Sequence, residues 1–375
     1  MDTLNLKGLP LEQLEAFIAS IGEPKYRAQQ IFSWLYRYRV RSFDEMNNLS
    51  VALRTRLQEV AFIEQITIAS KQVSAIDGTI KFLFELSDGA RIETVLIPPR
   101  ATAVDADERF TICLSTQVGC PLDCAFCATA SMGFTRNLTV SEIISQIFSA
   151  QAETDKPITN AVFMGMGEPM LNYDNVMTAV DLMSADFGLG MSARRITIST
   201  AGYAQHIRRM ADEGRKPKLA LSLHSMKSST RTELMPITKK FDVHELMDAL
   251  EYYHKKTKKG VMLEYILFEG VNDTDADIAL LVKASRRFEC RVNLIPFHAI
   301  TPRGANVPLR GASKQAIEIF AGKLRSANVP TFVRYSAGVD IDAACGQLAV
   351  KKEKQSVKNL ETTVQHSSHI IFENN

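Results

Sequence analysis

Residues 120–127 read CPLDCAFC and place three cysteines on one short segment, with spacers of three and two residues between them. Cys113 lies shortly upstream, inside an apolar run that leads into this segment. In a reducing compartment, cysteines grouped in this way indicate metal binding or catalysis before they indicate a disulfide framework. The segment therefore predicts a metal or cofactor site placed directly after a strand.

Two kinds of site fit three clustered cysteines. A structural Zn²⁺ site has four ligands, so Cys113 or a histidine would have to complete it. An iron–sulfur cluster held by three thiolates instead leaves one iron open to a small molecule. The cysteine count leaves both alternatives open: a zinc knuckle, or a cluster held by Cys120, Cys124 and Cys127.

The sequence around the cysteine segment predicts an α/β fold. From Phe110 onward, apolar strand-like runs alternate with amphipathic helical stretches, which is typical of βα repeats with a mainly parallel sheet. We expect a partial (β/α)6-type barrel, whose chemistry lies at the carboxyl ends of the strands. The predicted strands are 110–114, 158–164, 195–199, 218–224, 261–268 and 291–297, with 331–335 as a candidate closing strand, and amphipathic helices are predicted over 141–152, 243–254 and 314–324.

The pattern changes along the chain and predicts four parts. Apolar residues recur at helical spacing at the start, and Asp77-Gly78 and Asp88-Gly89 then separate runs rich in Ile, Val and Phe, as hairpin turns do. The predicted parts are a helical accessory domain (1–64), a β-meander linker (65–100), the barrel (101–350) and a polar, loosely packed tail (351–375).

Composition excludes several classes of protein. The 375 residues are 46% hydrophobic, which suffices for a large core, and no run approaches the roughly 18–20 apolar residues that a membrane helix needs. We therefore expect a cytoplasmic protein with no membrane partner, and a monomer. The net charge of +2 neither requires nor excludes nucleic acid, because local clustering of charge decides phosphate binding.

Candidate ligand-binding groups follow the predicted strands. Gly167 and Glu168 lie in a glycine-containing loop after the second strand, where backbone can approach a ligand and the carboxylate can accept from an ammonium group. Ser199, Ser222 and His224 come at the ends of the third and fourth strands. Taken singly, these residues are more often structural turns and strand-end caps, so their shared edge is what makes them a candidate site.

CxxxCxxC with an aromatic residue before its last cysteine, here Phe126, resembles the signature of radical S-adenosylmethionine enzymes. Six further segments are similar to those of the RlmN family of bacterial RNA methyltransferases, and together the similarity runs from the N-terminal helical domain to about Val350. The segments are ETV (93–95), CLSTQVGC (113–120), MGMGEP (164–169), SLH (222–224), NLIP (293–296) and DIDAACGQL (340–348).

The resemblance implies that Cys120, Cys124 and Cys127 hold a [4Fe-4S] cluster, whose open iron binds S-adenosylmethionine. It implies methylation of carbon 2 of an adenosine in 23S rRNA and in tRNA, with two S-adenosylmethionine molecules per turnover and a reduced flavodoxin- or ferredoxin-type electron donor. The implied S-adenosylmethionine contacts are Gly167, Glu168, Ser199, Ser222, Leu223, His224 and His298.

Three further residues gain roles only through this resemblance. It implies that Cys345 carries the methyl group as a thioether, that Cys113 releases the product by thiol–disulfide exchange, and that Glu93 is the proton acceptor. Without the resemblance, the two cysteines would be read as inert buried residues and Glu93 as a solvated strand residue. The pairing of Cys113 with Cys345 also implies a disulfide bond.

Two positions depart from the family's pattern. His298 stands where the family usually has asparagine, and Ala337 stands where it tends to have arginine. An alternative is therefore the carbon-8 methylation of rRNA adenine by Cfr-type enzymes. A second alternative is a catalytically silent, zinc-stabilised RNA-binding protein.

A basic and aromatic stretch near the N-terminus predicts an RNA contact. No acidic residue occurs between Glu23 and Asp44, and cations alternate with aromatic side chains there, which suits phosphate neutralisation and base stacking. The alternative is a basic helix face whose aromatic residues pack into the core. The cations are Lys25, Arg27, Arg37, Arg39 and Arg41, and the aromatic residues are Tyr26, Trp34, Tyr36 and Tyr38.

Overall fold

The computed structural model describes residues 3–99, 110–300 and 309–350. The predicted polar tail, 351–375, lies outside the described residues. None of the helices within the described ranges combines the length and the apolar character needed to cross a bilayer.

The N-terminal part is helical, as its apolar spacing predicted. Its elements are β1 (Leu4–Asn5), α1 (Leu11–Ser20), α2 (Tyr26–Ser33), α3 (Val51–Val60) and β2 (Ala61–Phe62), with β1 and β2 paired in parallel. A π-helical turn, Trp34–Tyr38, extends α2 and ends at Arg39, which adopts a left-handed φ of 57°. The Ser50 side chain caps α3 by accepting from the Leu53 N–H, which satisfies one free donor of the first turn.

Three antiparallel strands follow: β3 (Thr67–Val73), β4 (Ile80–Glu85) and β5 (Arg91–Ile97). Gly78 and Gly89 adopt positive φ values in the two connections, as the Asp-Gly pairs predicted. The next strand pairs antiparallel with β5, so these three strands extend the sheet of the barrel.

Within the described residues, seven parallel strands form the barrel, and all seven predicted strands are confirmed. The strands are β6 (Phe110–Cys113), β9 (Ile158–Phe163), β10 (Ile196–Thr200), β11 (Lys218–Ser222), β12 (Val261–Leu267), β13 (Cys290–Pro296) and β14 (Thr331–Val333), and between β6 and β9 lies a short hairpin of β7 (Gln117–Gly119) and β8 (Phe134–Asn137). The sheet order is β14-β13-β12-β11-β10-β9-β6-β5-β4-β3. Because β14 and β3 are the two edges, the predicted α/β barrel is open.

Amphipathic helices cover the sheet between its strands. They are α4 (Val140–Gln151), α5 (Tyr173–Ser184), α6 (Ala204–Asp212), α7 (Ser228–Leu234), α8 (Val243–Thr257), α9 (Asp275–Ser285) and α10 (Lys314–Ser326). Thr139, Asp242 and Thr274 cap the starts of α4, α8 and α9, each accepting a backbone N–H three residues on. The predicted helices 141–152, 243–254 and 314–324 correspond to α4, α8 and α10.

The β7–β8 hairpin frames the cysteine segment and was not predicted. The Cys120 N–H donates to the Gly133 carbonyl at 2.8 Å, which closes the segment into a loop. Gly119 has a φ of 75°, and a Cβ atom at this position would lie 1.9 Å from the Gly133 oxygen. Glycine is therefore required at 119 for two independent reasons, backbone conformation and close approach.

Replacing Gly119 by Ala should destabilise the protein far more than replacing Gly89. Gly89 also has a positive φ, of 80°, but a Cβ atom there would meet no other atom within 4 Å, so Gly89→Ala carries only the conformational cost of about 1–2 kcal/mol. Gly119→Ala adds the overlap with the Gly133 carbonyl, which should cost at least about 2 kcal/mol more. Urea unfolding of both variants measures the difference; equal losses would contradict the close approach.

Candidate active site

A cavity at the carboxyl ends of the parallel strands contains the predicted cysteine site. Cys120, Cys124 and Cys127 line it on one side, and Glu168, Ser222 and His224 line it from β9 and β11 and the loops that follow them. We call this the central cavity. Its position agrees with the rule that α/β barrels bind ligands where their strands end.

The three cysteine thiols are half-buried, line one cavity and interact electrostatically. Burial raises the pKa of Cys120 to about 12, and burial raises the pKa of Cys124 and of Cys127 as well. Repulsion from the neighbouring thiolates adds to the effect, most clearly at Cys124. Deprotonation of all three would therefore need a strong positive charge between them, which the irons of a cluster would supply.

The cysteines around the central cavity do not suit a single metal ion. In residues 3–99, 110–300 and 309–350, no three His, Cys, Asp or Glu side chains are grouped so that they could hold one ion. A tetrahedral Zn²⁺ site needs its ligands around one point, whereas a [4Fe-4S] cluster takes each thiolate on a different iron. Cys120, Cys124 and Cys127 line one cavity, and as a set of three thiol donors they suit the second requirement.

A buried arginine stabilises this side of the cavity. Arg231 is fully buried, and its guanidinium donates to the carbonyl oxygens of Ala201, Ser222 and Leu223 and to the Thr238 hydroxyl. Burial lowers its pKa to about 10, and the Cys124 thiolate opposes that shift. Sequence reasoning missed Arg231, because an arginine in a polar helix segment carries no sign that it is buried.

Glu168 is held with its carboxylate buried. It accepts hydrogen bonds from the N–H groups of Met170 at 3.0 Å and Ala201 at 2.7 Å, while burial raises its pKa to about 7. Neighbouring Gly167 has a φ of 97°, and a Cβ atom there would lie 2.6 Å from the Gln117 Cβ. The loop thus brings a partly protonated carboxyl group and bare backbone to the central cavity, which suits the ammonium group of an amino acid.

His224 is neutral and oriented. Burial, with Arg231 adding to it, lowers the pKa of His224 to about 3, and the ring Nδ1 accepts the Ile266 N–H at 3.0 Å. The proton of the neutral ring is therefore on Nε2. His224 has a φ of 53°, which explains why β11 ends before it, although the sequence predicted a strand to 224.

The remaining predicted contacts divide into two groups. Ser199 and Ser222 line the central cavity, whereas Leu223 is fully buried in the core, with its N–H bonded to the Glu264 carbonyl. His298 is half-buried and is not among the residues that line the central cavity. Its Nε2 is buried without a hydrogen-bond partner in the described part of the chain, and burial lowers its pKa.

A second cavity adjoins the first and contains the two other predicted cysteines. Cys113, at the end of β6, and Cys345 both line this side cavity, together with Ala337. Cys345 and Arg334 also line the central cavity, so they lie where the two cavities meet. Cys345 is the main cause of the raised pKa of Arg334, and burial raises the pKa of Cys113 to about 12.

The predicted disulfide between Cys113 and Cys345 is not supported. Both are free thiols, and their interaction is electrostatic, since the Cys345 charge raises the pKa of Cys113 further.

Glu93 lies beside the two cavities and is not among the residues that line them. Its side chain is buried on β5, where the carboxylate accepts the Ala349 N–H at 2.9 Å and faces the Lys81 ammonium group at 3.3 Å. The alternative interpretation of Glu93 as a solvated strand residue is wrong, because Glu93 is buried and β5 is an inner strand of the sheet.

Sequence reasoning also missed two groups in the central cavity, Glu264 on β12 and Arg334 after β14. Glu264 is buried, accepts from the Asn293 side chain at 2.8 Å and faces Arg334 at 3.9 Å. A carboxylate in the otherwise apolar run 261–267 was a signal that could have revealed Glu264. Arg334 had a weaker signal, a cation directly after a short strand.

The basic N-terminal stretch is largely exposed, although Arg27 and Trp34 are half-buried and Tyr36 is fully buried. Tyr26 is 56% and Tyr38 59% exposed, and Arg37, Arg39 and Arg41 are exposed as well. Tyr36 is fully buried, because its hydroxyl accepts the Gly8 N–H and donates to the Leu9 carbonyl. Tyr36 is therefore a core residue and is excluded from stacking on RNA.

Comparison with known proteins agrees with these features. Residues 114–282 match the model of the Radical SAM superfamily, and residues 4–63 match the ribosomal RNA large subunit methyltransferase N-terminal domain. The fold and the cysteine loop thus define a radical S-adenosylmethionine enzyme, a class that uses a [4Fe-4S] cluster and S-adenosylmethionine.

Comparison with individual relatives identifies the family within this class. A probable dual-specificity RNA methyltransferase RlmN from Thermotoga neapolitana is 43% identical over 94% of this chain and 99% of its own length. A second from Thermotoga maritima is 42% identical over 93% of this chain and 98% of its own length. The crystal structure of a radical SAM methyltransferase from Sphaerobacter thermophilus superposes with a TM-score of 0.84 at 41% identity, covering 93% of this chain and all of that one. The chain belongs to the RlmN family of RNA methyltransferases.

Replacing His224 should change the acid sensitivity of the iron-free protein. Because the pKa of His224 is near 3 in the folded protein and near 6.5 in the unfolded chain, the unfolded state binds the extra proton as the pH falls below 6.5. Between pH 7 and pH 5 this group alone lowers the free energy of unfolding by about 2 kcal/mol. His224→Asn, which keeps an acceptor for the Ile266 N–H, should remove that loss in urea unfolding.

The exposed His244 on α8 provides the matched control. His244→Asn should leave the loss of stability between pH 7 and pH 5 as it is in the unmodified protein. A His224→Asn variant with the same pH dependence as the His244 control would show that His224 is not held neutral by burial.

Proposed function

We propose that the protein methylates carbon 2 of an adenosine, in 23S rRNA at the peptidyl transferase centre and in tRNA at the position 3′ to the anticodon. The observation that carries the proposal is the position of Cys345, where the central cavity meets the side cavity that contains Cys113. A methyl group on Cys345 could be activated from the cluster side and be released with the help of the second thiol.

The first step needs only a sulfur nucleophile. Carbon 2 of adenine is an electrophilic amidine-like carbon and does not attack the electrophilic methyl group of S-adenosylmethionine directly. The Cys345 thiolate attacks it instead, forming a thioether while S-adenosylhomocysteine leaves. The Arg334 side chain, which is 33% exposed, lies near Cys345, whose charge raises the pKa of Arg334.

The residues of the central cavity would hold the cofactors. Cys120, Cys124 and Cys127 would hold the cluster, and the Glu168 and His224 side chains would orient a second S-adenosylmethionine. Together the bound cofactors would supply a 5′-deoxyadenosyl radical. Methyl-Cys345 gives up one hydrogen atom, and its carbon then bonds to carbon 2 of the adenine, which joins protein and RNA covalently.

Release of the product uses Glu93 and Cys113. Glu93 takes the proton from carbon 2, and the Cys113 thiolate attacks the Cys345 sulfur, so that an S–S bond forms as the S–CH2 bond breaks. The electron pair of the broken bond stays on the methylene carbon, which takes a proton and becomes the methyl group. The unpaired electron left on the base returns to the electron carrier, and an external dithiol reduces the S–S bond, which exists only during turnover.

The N-terminal part would bind the RNA. Its exposed arginines can neutralise phosphates, and Tyr26 and Tyr38 can stack on unpaired bases. The target adenine has to leave its stack to reach the cavity, so an RNA loop is the expected site. The relatives at 41–43% identity are described as dual-specificity RNA methyltransferases, which supports rRNA together with tRNA as substrates. We further propose a cytoplasmic monomer supplied by a reduced flavodoxin or ferredoxin.

Removing Cys345 and removing Cys113 should stop the reaction at different points. Cys345→Ala should give neither methylated protein nor methylated RNA, because no thiolate accepts the first methyl group. Cys113→Ala should purify from cells with covalently bound RNA that survives denaturation and is lost on nuclease treatment. Electrophoresis and mass spectrometry of the purified variants measure both. Cys290→Ala is the matched control, since that buried cysteine lines neither cavity.

Normal turnover by RNA-free Cys113→Ala would rule out the two-thiol mechanism. Mass spectrometry of nucleosides from rRNA and tRNA of cells that lack this protein should show the loss of 2-methyladenosine in both. Loss of 8-methyladenosine instead would assign the carbon-8 alternative.

Replacing Arg37 and Arg39 together by Ala should weaken RNA binding more than chemistry. Each lost phosphate contact should lower the slope of log affinity against log salt by roughly 0.7–0.9, because fewer counterions are released. RNA binding measured at several salt concentrations gives this slope. An Arg286→Ala/Arg287→Ala variant after α9 is the control, and an unchanged slope for Arg37/Arg39 would remove the N-terminal part from the interface.

A further inference from the structure

A buried ion pair lies under the segment that carries Cys345. The Lys81 Nζ lies 3.3 Å from Glu93 Oε1, and both side chains are only 8% exposed. An ion pair with so little solvent around it is uncommon, because each charge loses its hydration on burial. The other ion pairs on this part of the sheet, such as Lys71 with Glu153, are far more exposed.

The register of the sheet explains why the two side chains meet. Leu83 of β4 is opposite Glu93 of β5, and Lys81 is opposite Val95. Residues two apart on a strand share a face, so Lys81 and Glu93 are diagonal neighbours on one face of the sheet. A long lysine side chain spans that diagonal, and its ammonium group reaches the carboxylate.

The pair also contacts both ends of the Cys345 segment. The Lys81 ammonium donates to the Asp342 carbonyl at 3.3 Å, and the Ala349 N–H donates to Glu93 Oε2 at 2.9 Å. Cys345 lies between these two points. The pair therefore binds both ends of residues 342–349 to the sheet. The contacts of Asp77 with Gly338 and of Ser74 with Asp340 bind only residues that precede this segment.

We propose that Lys81 is a positioning residue for the reaction, which keeps the Glu93 carboxylate charged and, with it, holds the segment of Cys345 against the sheet. The proposal rests on the proposed function, in which Glu93 takes the proton from carbon 2. A buried carboxylate can accept a proton only while it is ionised, and an ionised buried carboxylate needs a facing cation. Lys81 provides that cation and does not itself touch the substrate.

The loss of Lys81 should therefore act after radical addition. In Lys81→Met the methyl group still reaches Cys345, but Glu93 no longer takes the proton from carbon 2, so covalent protein–RNA adduct accumulates. We expect release of methylated RNA to fall about 100-fold or more, the usual size of a general-base contribution. Lys81→Arg keeps the charge and should restore release to within about tenfold of the unmodified protein.

Two comparisons distinguish a positioning role of Lys81 from an effect on the stability of the protein alone. Lys71→Met removes a lysine from an exposed ion pair on the adjacent strand β3 and should leave release unchanged. In a Glu93→Gln background, Lys81→Met should cause no further loss, because residues that act through one another are non-additive. This double variant also leaves no unpaired buried charge, so it stays measurable if Lys81→Met alone folds poorly.

A third measurement does not depend on turnover. In iron-free protein without RNA, iodoacetamide should alkylate Cys345 several-fold faster in Lys81→Met than in the unmodified protein or in Lys71→Met, since the segment then loses the contact that binds its start, at Asp342, to the sheet. Peptide mass spectrometry resolves Cys345 from the other cysteines. An unchanged alkylation rate would refute the clamp on residues 342–349.

Cys113→Ala, measured in parallel, separates this proposal from the proposed function. If Cys113→Ala traps RNA while Lys81→Met releases methylated RNA normally, Lys81 has no positioning role and the proposed function stands. A further loss caused by Lys81→Met in the Glu93→Gln background would likewise refute action through Glu93. If no variant, nor the unmodified protein, forms methyl-Cys345, the proposed function fails and the role of Lys81 fails with it.

Discussion

One backbone hydrogen bond joins the two halves of the candidate site. The Ala128 N–H, directly after the cysteine loop, donates to the Gly346 carbonyl at 2.7 Å, directly after Cys345. The adjacent Thr129 hydroxyl donates to the Leu348 carbonyl at 2.6 Å. Neither bond involves a cysteine side chain. Together the two bonds place Cys345 beside the cysteine loop. The meeting of the two cavities depends on them.

Electrostatics sets the second requirement of the site. The central cavity gathers three half-buried thiols and the buried carboxyl groups of Glu168 and Glu264. Two guanidinium groups lie near this set: that of Arg231, which is fully buried, and that of Arg334, whose side chain is 33% exposed. Burial raises the pKa of the three thiols and of both carboxyl groups, so the protein disfavours their negative charge. A positive charge bound in the cavity would offset that cost.

Much of the fold could be predicted from the sequence, because periodicity reports burial directly. Buried parallel strands read as apolar runs, and 110–114 and 261–268 were recognised on that basis. The β7–β8 hairpin escaped prediction because its strands have three and four residues, too few to show alternation. Tyr36 was misjudged for a related reason, since a tyrosine on a basic helix looks the same whether its hydroxyl meets water or the Leu9 carbonyl.

The residues of the candidate site also differ in how well the sequence predicts them. The cluster cysteines can be recognised from their spacing, which is visible within a short stretch of sequence. Other residues of the site depend on neighbours that are remote in sequence, namely Arg231, Lys81 and Glu264. The residues adjacent to them in the sequence do not indicate which neighbours they will contact. Their contacts with Ala201, Asp342 and Asn293 exist only after the sheet has formed. A single sequence therefore reveals the ligands of such a site more readily than the groups that hold them.

The open sheet has a consequence for how the protein folds. Strands β6 to β13 pair in the order of synthesis, so each βα unit can dock on the one before it. The bonds from Ala128 to Gly346 and from Lys81 to Asp342, in contrast, close loops of more than two hundred residues and carry a large entropic cost. The Cys345 segment should therefore dock last, and a half-folded chain would contain the cysteine loop without Cys345 beside it. In the proposed mechanism, such a chain could not yet take up the methyl group.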